Sequence, residues 1–566
     1  MWDHSVDVLV VGSGLGGLTA ALSAHQMGAG DVLLIEKGEK FGGTSALSGG
    51  VVWIPCNRYA RALGQDDSIE EAHAYLRRTV PDEIRRDDMI RTYLENGPRM
   101  IDFLHEHSHA RYMSLSMYPD YHANVPGARI GNRALESEPF DSTLLGDDND
   151  LVSHSHPLWY LANRIPLTLK EANAITVKLK GWQGTLLKVL LGYALDIPWR
   201  LRSRYDRTRK VGGAGVARLY LSLKERGVPM WLKAPLTELV EENGRVVGAV
   251  IMRDGKVCRV EARKGVILTA GGFEHNQPMR EQYLPKPTSN AWSAGVKTNT
   301  GDALNAAMKL GAATDLMGKG WWCMTASVPG EEIPRLIIME KSFPGSCLVN
   351  SNGKRLVNES ENYMTMQDKL YAAHQDDNPC APTWLVFDAR VRRKYIVGPL
   401  LTARTRPDWS WPKAWTRNGF VTRANSIKEL AVKAGIHADN LTATIERLNG
   451  YAATGTDEEF HRGESAYDRY YGDPDIKPNP NLAPLVEAPF YALRVDPGDI
   501  GTQGGLVIND HGQVLKANGK PLEGLYASGN CTAAIMPTYP GPGATLGPAM
   551  VFAWLAAKHI SGYNGD

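Results

Sequence analysis

The apolar positions at the amino terminus form one block that stops at glycine: Val6-Asp-Val-Leu-Val-Val-Gly-Ser-Gly-Leu-Gly-Gly-Leu18. A short apolar run closed by a glycine turn predicts a buried strand, and the small-residue stretch after it predicts a helix from about residue 14 to 27. A second strand, Asp31-Val-Leu-Leu-Ile-Glu36, ends in an acid. Ile69, Ala72, Tyr75 and Leu76 recur at helical spacing, so 68–107 reads as mostly helical, broken near Pro81 and Pro98. After a helix over 216–223, strands return at 228–232, 236–241, 246–251 and 265–270, with Glu242-Asn-Gly-Arg245 as a hairpin turn. Residues 287–499 mix short strands, helices and proline-rich loops. Strand-and-turn grammar resumes at Gly504-Gly-Leu-Val-Ile-Asn509 and Gly524-Leu-Tyr-Ala-Ser-Gly-Asn530, before a last apolar helix over 551–559. This pattern predicts an α/β protein: a discontinuous Rossmann-like nucleotide-binding domain over 1–286 and 500–566, with an inserted α+β catalytic domain over 287–499.

Gly12, Gly14 and Gly17 have the spacing that lets a turn tighten, a pyrophosphate approach and a helix pack on its strand. Glu36 stands about twenty residues further on, where a carboxylate accepts hydrogen bonds from an adenosine ribose. The next loop, Lys37 to Gly50, is dense in glycine and hydroxyls, with Gly43, Thr44, Ser45, Ser48, Gly49 and Gly50 open to a close-lying ligand. A second loop of this kind suits a long, permanently held dinucleotide such as FAD. Ala270-Gly271-Gly272 is another close-approach turn, Asp302 opens a helix, and Gly529 and Asn530 follow a strand. Thr538-Tyr-Pro-Gly-Pro-Gly543 runs through Leu546 into the last helix, so backbone N–H groups over 543–547 form a donor array beside the Tyr539 phenol.

The length of 566 residues implies two domains or one with large insertions, and 43% hydrophobic with 22% charged residues is ordinary globular composition. A net charge of +1 provides no global field for nucleic acid. Six scattered cysteines with no C-x-x-C pair suggest neither zinc nor a disulfide framework and fit a reducing compartment. The chain enters its first strand without a basic segment and apolar core of a leader, so cytoplasmic residence is expected. Trp182 to Trp199 is apolar but interrupted by Lys188 and Asp196, and is flanked by Lys178, Lys180, Arg200, Arg202, Arg204, Arg207 and Arg209. Two readings stand: a helix at a membrane surface over about 175–205, peripheral on the inner face of the cell membrane, or a buried helix capping the site or making a subunit contact.

Seven stretches occur in a telling order: Gly12-Ser-Gly-Leu-Gly-Gly17, Phe41-Gly-Gly-Thr-Ser-Ala-Leu-Ser-Gly49, Tyr118-Pro-Asp-Tyr121, Val357-Asn-Glu-Ser-Glu-Asn-Tyr363, Asp457-Glu-Glu-Phe-His-Arg-Gly463, Gly501-Thr-Gln-Gly-Gly505 and Tyr539-Pro-Gly-Pro-Gly543. Together they resemble the FAD-dependent 3-ketosteroid Δ1-dehydrogenases of the fumarate-reductase-like flavoprotein superfamily. The segment 155–207 resembles an insertion of the longer members, some of them membrane-associated. The 41–49 loop lacks the histidine of covalently flavinylated relatives, which implies non-covalent FAD. The resemblance implies a 3-oxo-4-ene steroid substrate, a quinone-like electron acceptor, Tyr363 as base, Tyr121 as its hydrogen-bonding partner, and Tyr539 with the Gly543 N–H as carbonyl clamp. Tyr121 donating to Tyr363 is expected to favour the phenolate. Trp321 and Trp322 read as packing residues. The alternatives are an ene-reductase or Δ4-dehydrogenase of the same superfamily, or a flavin-binding membrane-surface protein without steroid chemistry.

Overall fold

The computed structural model describes residues 1–565. The glycine-bounded apolar block is the strand His4–Val11, buried at its carboxyl end and flanked in parallel by Val32–Ile35 and Lys256–Leu268. The sheet runs in the order Met230–Trp231, Val32–Ile35, His4–Val11, Lys256–Leu268, Arg245–Arg253, Pro521–Ala527, Gln513–Leu515, with Leu236–Glu242 hairpinned onto Arg245–Arg253. Register decides where the ligand can sit. Val11 pairs with Ile35 and with Leu268, and Leu268 pairs with Ala527, so Gly12, Glu36, Thr269 and Ser528 leave the sheet side by side at one edge. That carboxyl edge is where open parallel sheets bind ligands. Behind it, helix Leu15–Gln26 packs along helix Leu546–Ser561.

A four-stranded antiparallel sheet, in the order Ser346–Asn350, Thr383–Phe387, Phe490–Val495, Val421–Ala424, forms within the middle of the chain. Its side chains alternate between two cores, as period-two geometry requires. Cys347, Val349, Trp384 and Val386 face helices Ile427–Ala434 and Ala438–Thr454, whereas Leu348, Leu385 and Phe387 join the main core. Both faces are therefore covered.

Several elements differ from their sequence reading. Pro98 does not break its helix: Asp87–His107 is continuous, because Met89, Ile90, Tyr93, Leu94, Met100, Ile101 and Leu104 bury one stripe across it. That burial outweighs the roughly 3 kcal/mol cost of an interior proline. The break near Pro81 does occur, between Ile69–Thr79 and Asp87–His107. The helix read at 216–223 begins earlier, as Val211–Glu225; its glycines discourage a helix from sequence alone but here press on the Ser45 and Ser48 carbonyls of the short helix Gly43–Leu47 and its end, a helix formed within the stretch read as a loop, and on Ser155 and Ser137. The strands read at 228–232 and 504–509 shrink to Met230–Trp231 and Gly505–Leu506.

Candidate active site

One cavity runs from Glu36 along the sheet edge to Tyr539. Of the residues singled out for a dinucleotide, Gly12, Gly14, Glu36, Lys37, Gly43, Thr44, Ser45, Ser48, Gly49, Gly50, Ala270, Gly271, Asp302, Gly529, Asn530 and Leu546 line it. Gly17 and Gly272 do not. A side chain at Gly17 would collide with the Gly12 carbonyl, which is the packing role its spacing suggested; one at Gly272 would meet the Thr502 hydroxyl and Glu274, so this glycine lies behind the turn and serves packing instead. Glu36 accepts from the Ser13 N–H (3.1 Å), the Ser13 hydroxyl (2.5 Å) and the Gly38 N–H (2.7 Å), which fixes its carboxylate in the wall. Lys37 binds Asp302 (2.5 Å) and Thr300 (2.7 Å) and so ties two loops across the cavity. Asn299, Thr300 and Ser528 line the wall as well. Asn299 and Thr300 stand just before Asp302, and Ser528 within the Gly524–Asn530 stretch, so each lies beside a residue that the sequence singles out. The cradle fits an FAD: one continuous cavity runs from Glu36 past Gly12, Gly14, Ala270, Gly271 and Gly529 to Gly543, so residues without bulky side chains line its length, while Gly12 and Gly50 also let neighbouring backbone pack against them.

At the far end three phenols converge. The Tyr121 and Tyr363 hydroxyls are 3.0 Å apart, and the Tyr539 ring lies 5.2 Å from that of Tyr121 and 5.8 Å from that of Tyr363. Each is about 5% exposed or less, so all three face the cavity rather than solvent. The Tyr539 side chain shares the cavity wall with Tyr363, Gly543 and Thr545. Tyr539 adopts φ of +56°, a left-handed conformation that costs a non-glycine residue on the order of 1 kcal/mol or more and is held by its surroundings. Gly543 is left-handed as well (φ +93°), and any side chain there would strike the Val51 carbonyl. The donor array is narrower than its sequence suggests. The Gly547 N–H caps the Gly543 carbonyl (2.9 Å) and the Ala544 N–H the Gly541 carbonyl (3.1 Å), so turn closure uses both.

The two loops carrying Tyr121 and Tyr539 are zipped together. The Pro540 carbonyl accepts from the Tyr121 N–H (2.8 Å) and the Tyr75 hydroxyl (2.6 Å), and His122 Nε2 meets the Thr538 carbonyl (3.1 Å). Behind them Asp120 accepts from Trp53 Nε1 (2.8 Å) and Arg133 (2.9 Å), and Arg133 also grips Asp67. Gln503, from the 501–505 motif, donates to the Pro537 carbonyl (2.7 Å) and steadies the same turn.

Tyr363 comes from elsewhere. It is the first residue of helix Tyr363–Ala372, whose N-cap Asn362 accepts from the Thr365 N–H (2.9 Å). The loop leading into it is held by a buried charge cluster. Arg355 donates to Glu359 and Asp457 (2.7 Å each), and Arg462 donates to the Ser360 hydroxyl (3.0 Å) and lies 3.4 Å from Glu359. Lys341 donates to the carbonyls of Glu359 (2.8 Å) and Glu361 (2.6 Å). The 457–463 motif thus acts as a splint for the loop that leads into Tyr363, a role that charged residues at 355, 359, 457 and 462 give no sequence sign of.

Burial pushes the Tyr363 and Tyr121 phenols well above their ordinary value, and pushes Tyr539 up although Tyr363, Thr545 and Gly543 beside it hold it down. Desolvation therefore opposes the Tyr363 phenolate that a bond from Tyr121 is expected to favour. Trp321 donates to Asn530 (3.1 Å) and stacks obliquely on Tyr539 at 5.2 Å, so it packs against the site; Trp322 is buried against Tyr371.

The insertion does two things. Leu158, Trp159, Leu169, Ala172 and Asn173 wall the cavity. Helix Trp182–Leu195 buries only Val189 and turns Leu187, Leu190, Leu191 and Leu195 outward, with Ile197 and Leu201 (85% exposed) beyond. Arg209 is not part of that surface: it is buried and donates to Asn149 (2.8 Å). No helix among the described residues is long and apolar enough to cross a membrane.

Residues 7–546 match the family model described as FAD binding domain. The chain is 40% identical to a 3-oxosteroid 1-dehydrogenase of Mycolicibacterium smegmatis, over 99% of this chain and 98% of that one. It is 35% identical to a 3-oxosteroid 1-dehydrogenase of Comamonas testosteroni, over 99% and 97%. The crystal structure of 3-ketosteroid Δ1-dehydrogenase from Sterolibacterium denitrificans in complex with 1,4-androstadiene-3,17-dione superposes with a TM-score of 0.95 at 42% identity, over 99% of this chain and 100% of that one.

Proposed function

Since this chain belongs to the FAD-binding 3-oxosteroid 1-dehydrogenases, we propose that it oxidises 3-oxo-4-ene steroids by removing hydrogen from C1 and C2, and that its phenols carry the proton chemistry. The observation that supports this reading is the convergence of Tyr121, Tyr363 and Tyr539 in one cavity, with no arginine in its wall among the described residues. A dicarboxylate reductase needs cations to grip two carboxylates; a neutral ketone needs donors at its oxygen and a base beside its α-carbon. Bound FAD supplies the acceptor for the C1 hydride. Tyr539 and the Gly543 N–H hold O3, so negative charge that builds there as C2 loses its proton meets preorganised donors. Tyr363 takes the C2 proton, with Tyr121 bonded to it. Residues 1–286 and 500–566, with Asn299, Thr300 and Asp302 from the inserted stretch, hold the cofactor non-covalently, and 287–499 also supply Tyr363 to the substrate. Electrons leave to a quinone-like acceptor. The test is anaerobic: androst-4-ene-3,17-dione should bleach the bound flavin, and a flavin that stays oxidised would refute the reading.

The outward leucines of 182–201, beside Lys188, Arg202 and Arg204, support docking of the cytoplasmic protein on an anionic lipid surface. Co-sedimentation with phosphatidylglycerol vesicles should weaken with salt and be lost when Leu190, Leu191 and Leu195 are all changed to Asp. Unchanged sedimentation of that variant would overturn the docking.

A further inference from the structure

The wall that the insertion gives the cavity holds polar groups with nothing to bond. Helix Leu169–Thr176 turns Leu169, Ala172 and Asn173 to the cavity, three residues at the spacing of one helix face. Asn173 Oδ1 is shut off from solvent and has no hydrogen-bond partner among the described residues, and the same holds for the indole Nε1–H of Trp159 in the same wall. The two stand close together: the Trp159 and Leu169 side chains both lie over Gly49, one helical turn before Asn173. By contrast His156, also in this wall, has both ring nitrogens engaged, with the Pro334 carbonyl (2.9 Å) and the Leu158 N–H (3.1 Å). Buried polar groups are almost always paired, so two orphans side by side mark a place that a ligand's own polar atom completes.

This place lies away from the carbonyl clamp. Rings step from Tyr539 to Tyr121 (5.2 Å), on to Tyr118 (6.2 Å) and on to Tyr470 (4.8 Å). Tyr470 stands near Glu136, the carboxyl that accepts from the Leu169 N–H (3.0 Å) behind the insertion wall. We propose that Asn173 and Trp159 form a second polar subsite, which takes the oxygen on C17 of the steroid while Tyr539 and the Gly543 N–H take O3. This rests on the dehydrogenase reading and deepens it. The subsite is neutral. Lys37, the one lysine or arginine in the cavity wall among the described residues, is bound to Asp302, and Lys210 is bound to Glu171. Burial raises Glu136 to about 8, so its carboxyl carries no charge at neutral pH. Such a wall suits a ketone or a hydroxyl, not a carboxylate. An amide offers both a donor and an acceptor and an indole only a donor, so a 17-ketone accepts from both residues and a 17-hydroxyl also donates to Asn173. The helix is set before the steroid arrives, since Thr168 and Glu171 form a capping box and Lys210 donates to Glu171 (2.7 Å).

The test compares two steroids that differ only at C17. A 1,4-dien-3-one has already lost its hydrogens at C1 and C2, so it binds the oxidised holoenzyme without turnover, and the shift of the flavin's visible spectrum reads its affinity. The wild type should bind androsta-1,4-diene-3,17-dione about 10- to 100-fold more tightly than androsta-1,4-dien-3-one, which leaves the orphans unpaired. Asn173→Leu should bring that ratio close to one, and Trp159→Phe, which keeps a ring over Gly49, should lower it part of the way. A wall that is merely disturbed would weaken both steroids alike and keep their ratio. Equal binding of the two by the wild type, the result if a trapped water serves the orphans, would overturn the subsite, as would a wild-type ratio in Asn173→Leu. Either result leaves bleaching of the flavin by androst-4-ene-3,17-dione intact. Flavin that no 3-oxosteroid bleaches would instead overturn the activity reading, and the subsite with it.

Discussion

Tyr363→Phe is expected to keep FAD bound and steroid affinity within a few-fold, yet to slow flavin reduction by about 10²- to 10⁴-fold, the range of a lost general base. The hydroxyl contributes to the site and not to the fold. The Tyr363 ring is buried in the main core and packs against the rings of Tyr121 and Tyr539, and phenylalanine preserves those contacts. The cofactor cradle at the sheet edge takes nothing from residue 363 beyond one patch of wall. Reduction followed in a single turnover separates the chemical step from product release. Flavin content near one per chain with wild-type reduction rate would show that the proton leaves C2 to another group.

The second large effect is on stability. Glu359→Leu should cost about 3–5 kcal/mol, the range for removing one partner of a buried ion pair. Glu359 is fully buried, and so are Arg355, Asp457 and Arg462 around it. Without it, Arg355 keeps Asp457 but Arg462 loses its nearest carboxylate and stays in a core from which water is excluded. Denaturant unfolding of the holoprotein measures this cost. Surviving folded protein should also reduce its flavin more slowly, because Ser360, Glu361 and Asn362 lead from this cluster directly into Tyr363. A midpoint unchanged from wild type would mean that the charges contribute nothing net and that the splint lies elsewhere.

Much of the cofactor half was legible because its signals are local. An apolar strand, three spaced glycines and a terminal acid lie within the first 36 residues, and the register that aligns Gly12 with Thr269 and Ser528 follows from parallel pairing of strands whose ends are marked by small residues. The glycine helix Val211–Glu225 was only half visible, since propensity argues against glycine and only close packing on the helix Gly43–Leu47 explains it. Arg209 shows the reverse failure: in sequence it continues a basic flank, but in space Asn149 pulls it inside. The convergence of Tyr121, Tyr363 and Tyr539 lay beyond any local pattern, because residues so far apart meet only through tertiary packing; family resemblance was needed to single them out. Even that resemblance left Tyr471 unmarked, although it lines the cavity, and no sequence pattern shows how strongly burial raises the Tyr363 phenol, because desolvation depends on what surrounds it.

Removal of hydrogen from C1 and C2 is told apart from removal at C4 and C5 with a 3-oxosteroid whose A ring is fully saturated. Such a substrate offers the enzyme a choice between two positions flanking the same ketone. Nuclear magnetic resonance of the product after anaerobic turnover with an artificial electron acceptor locates the new double bond. The new bond is expected at C1=C2; a bond at C4=C5 would show that the enzyme is not a 1-dehydrogenase.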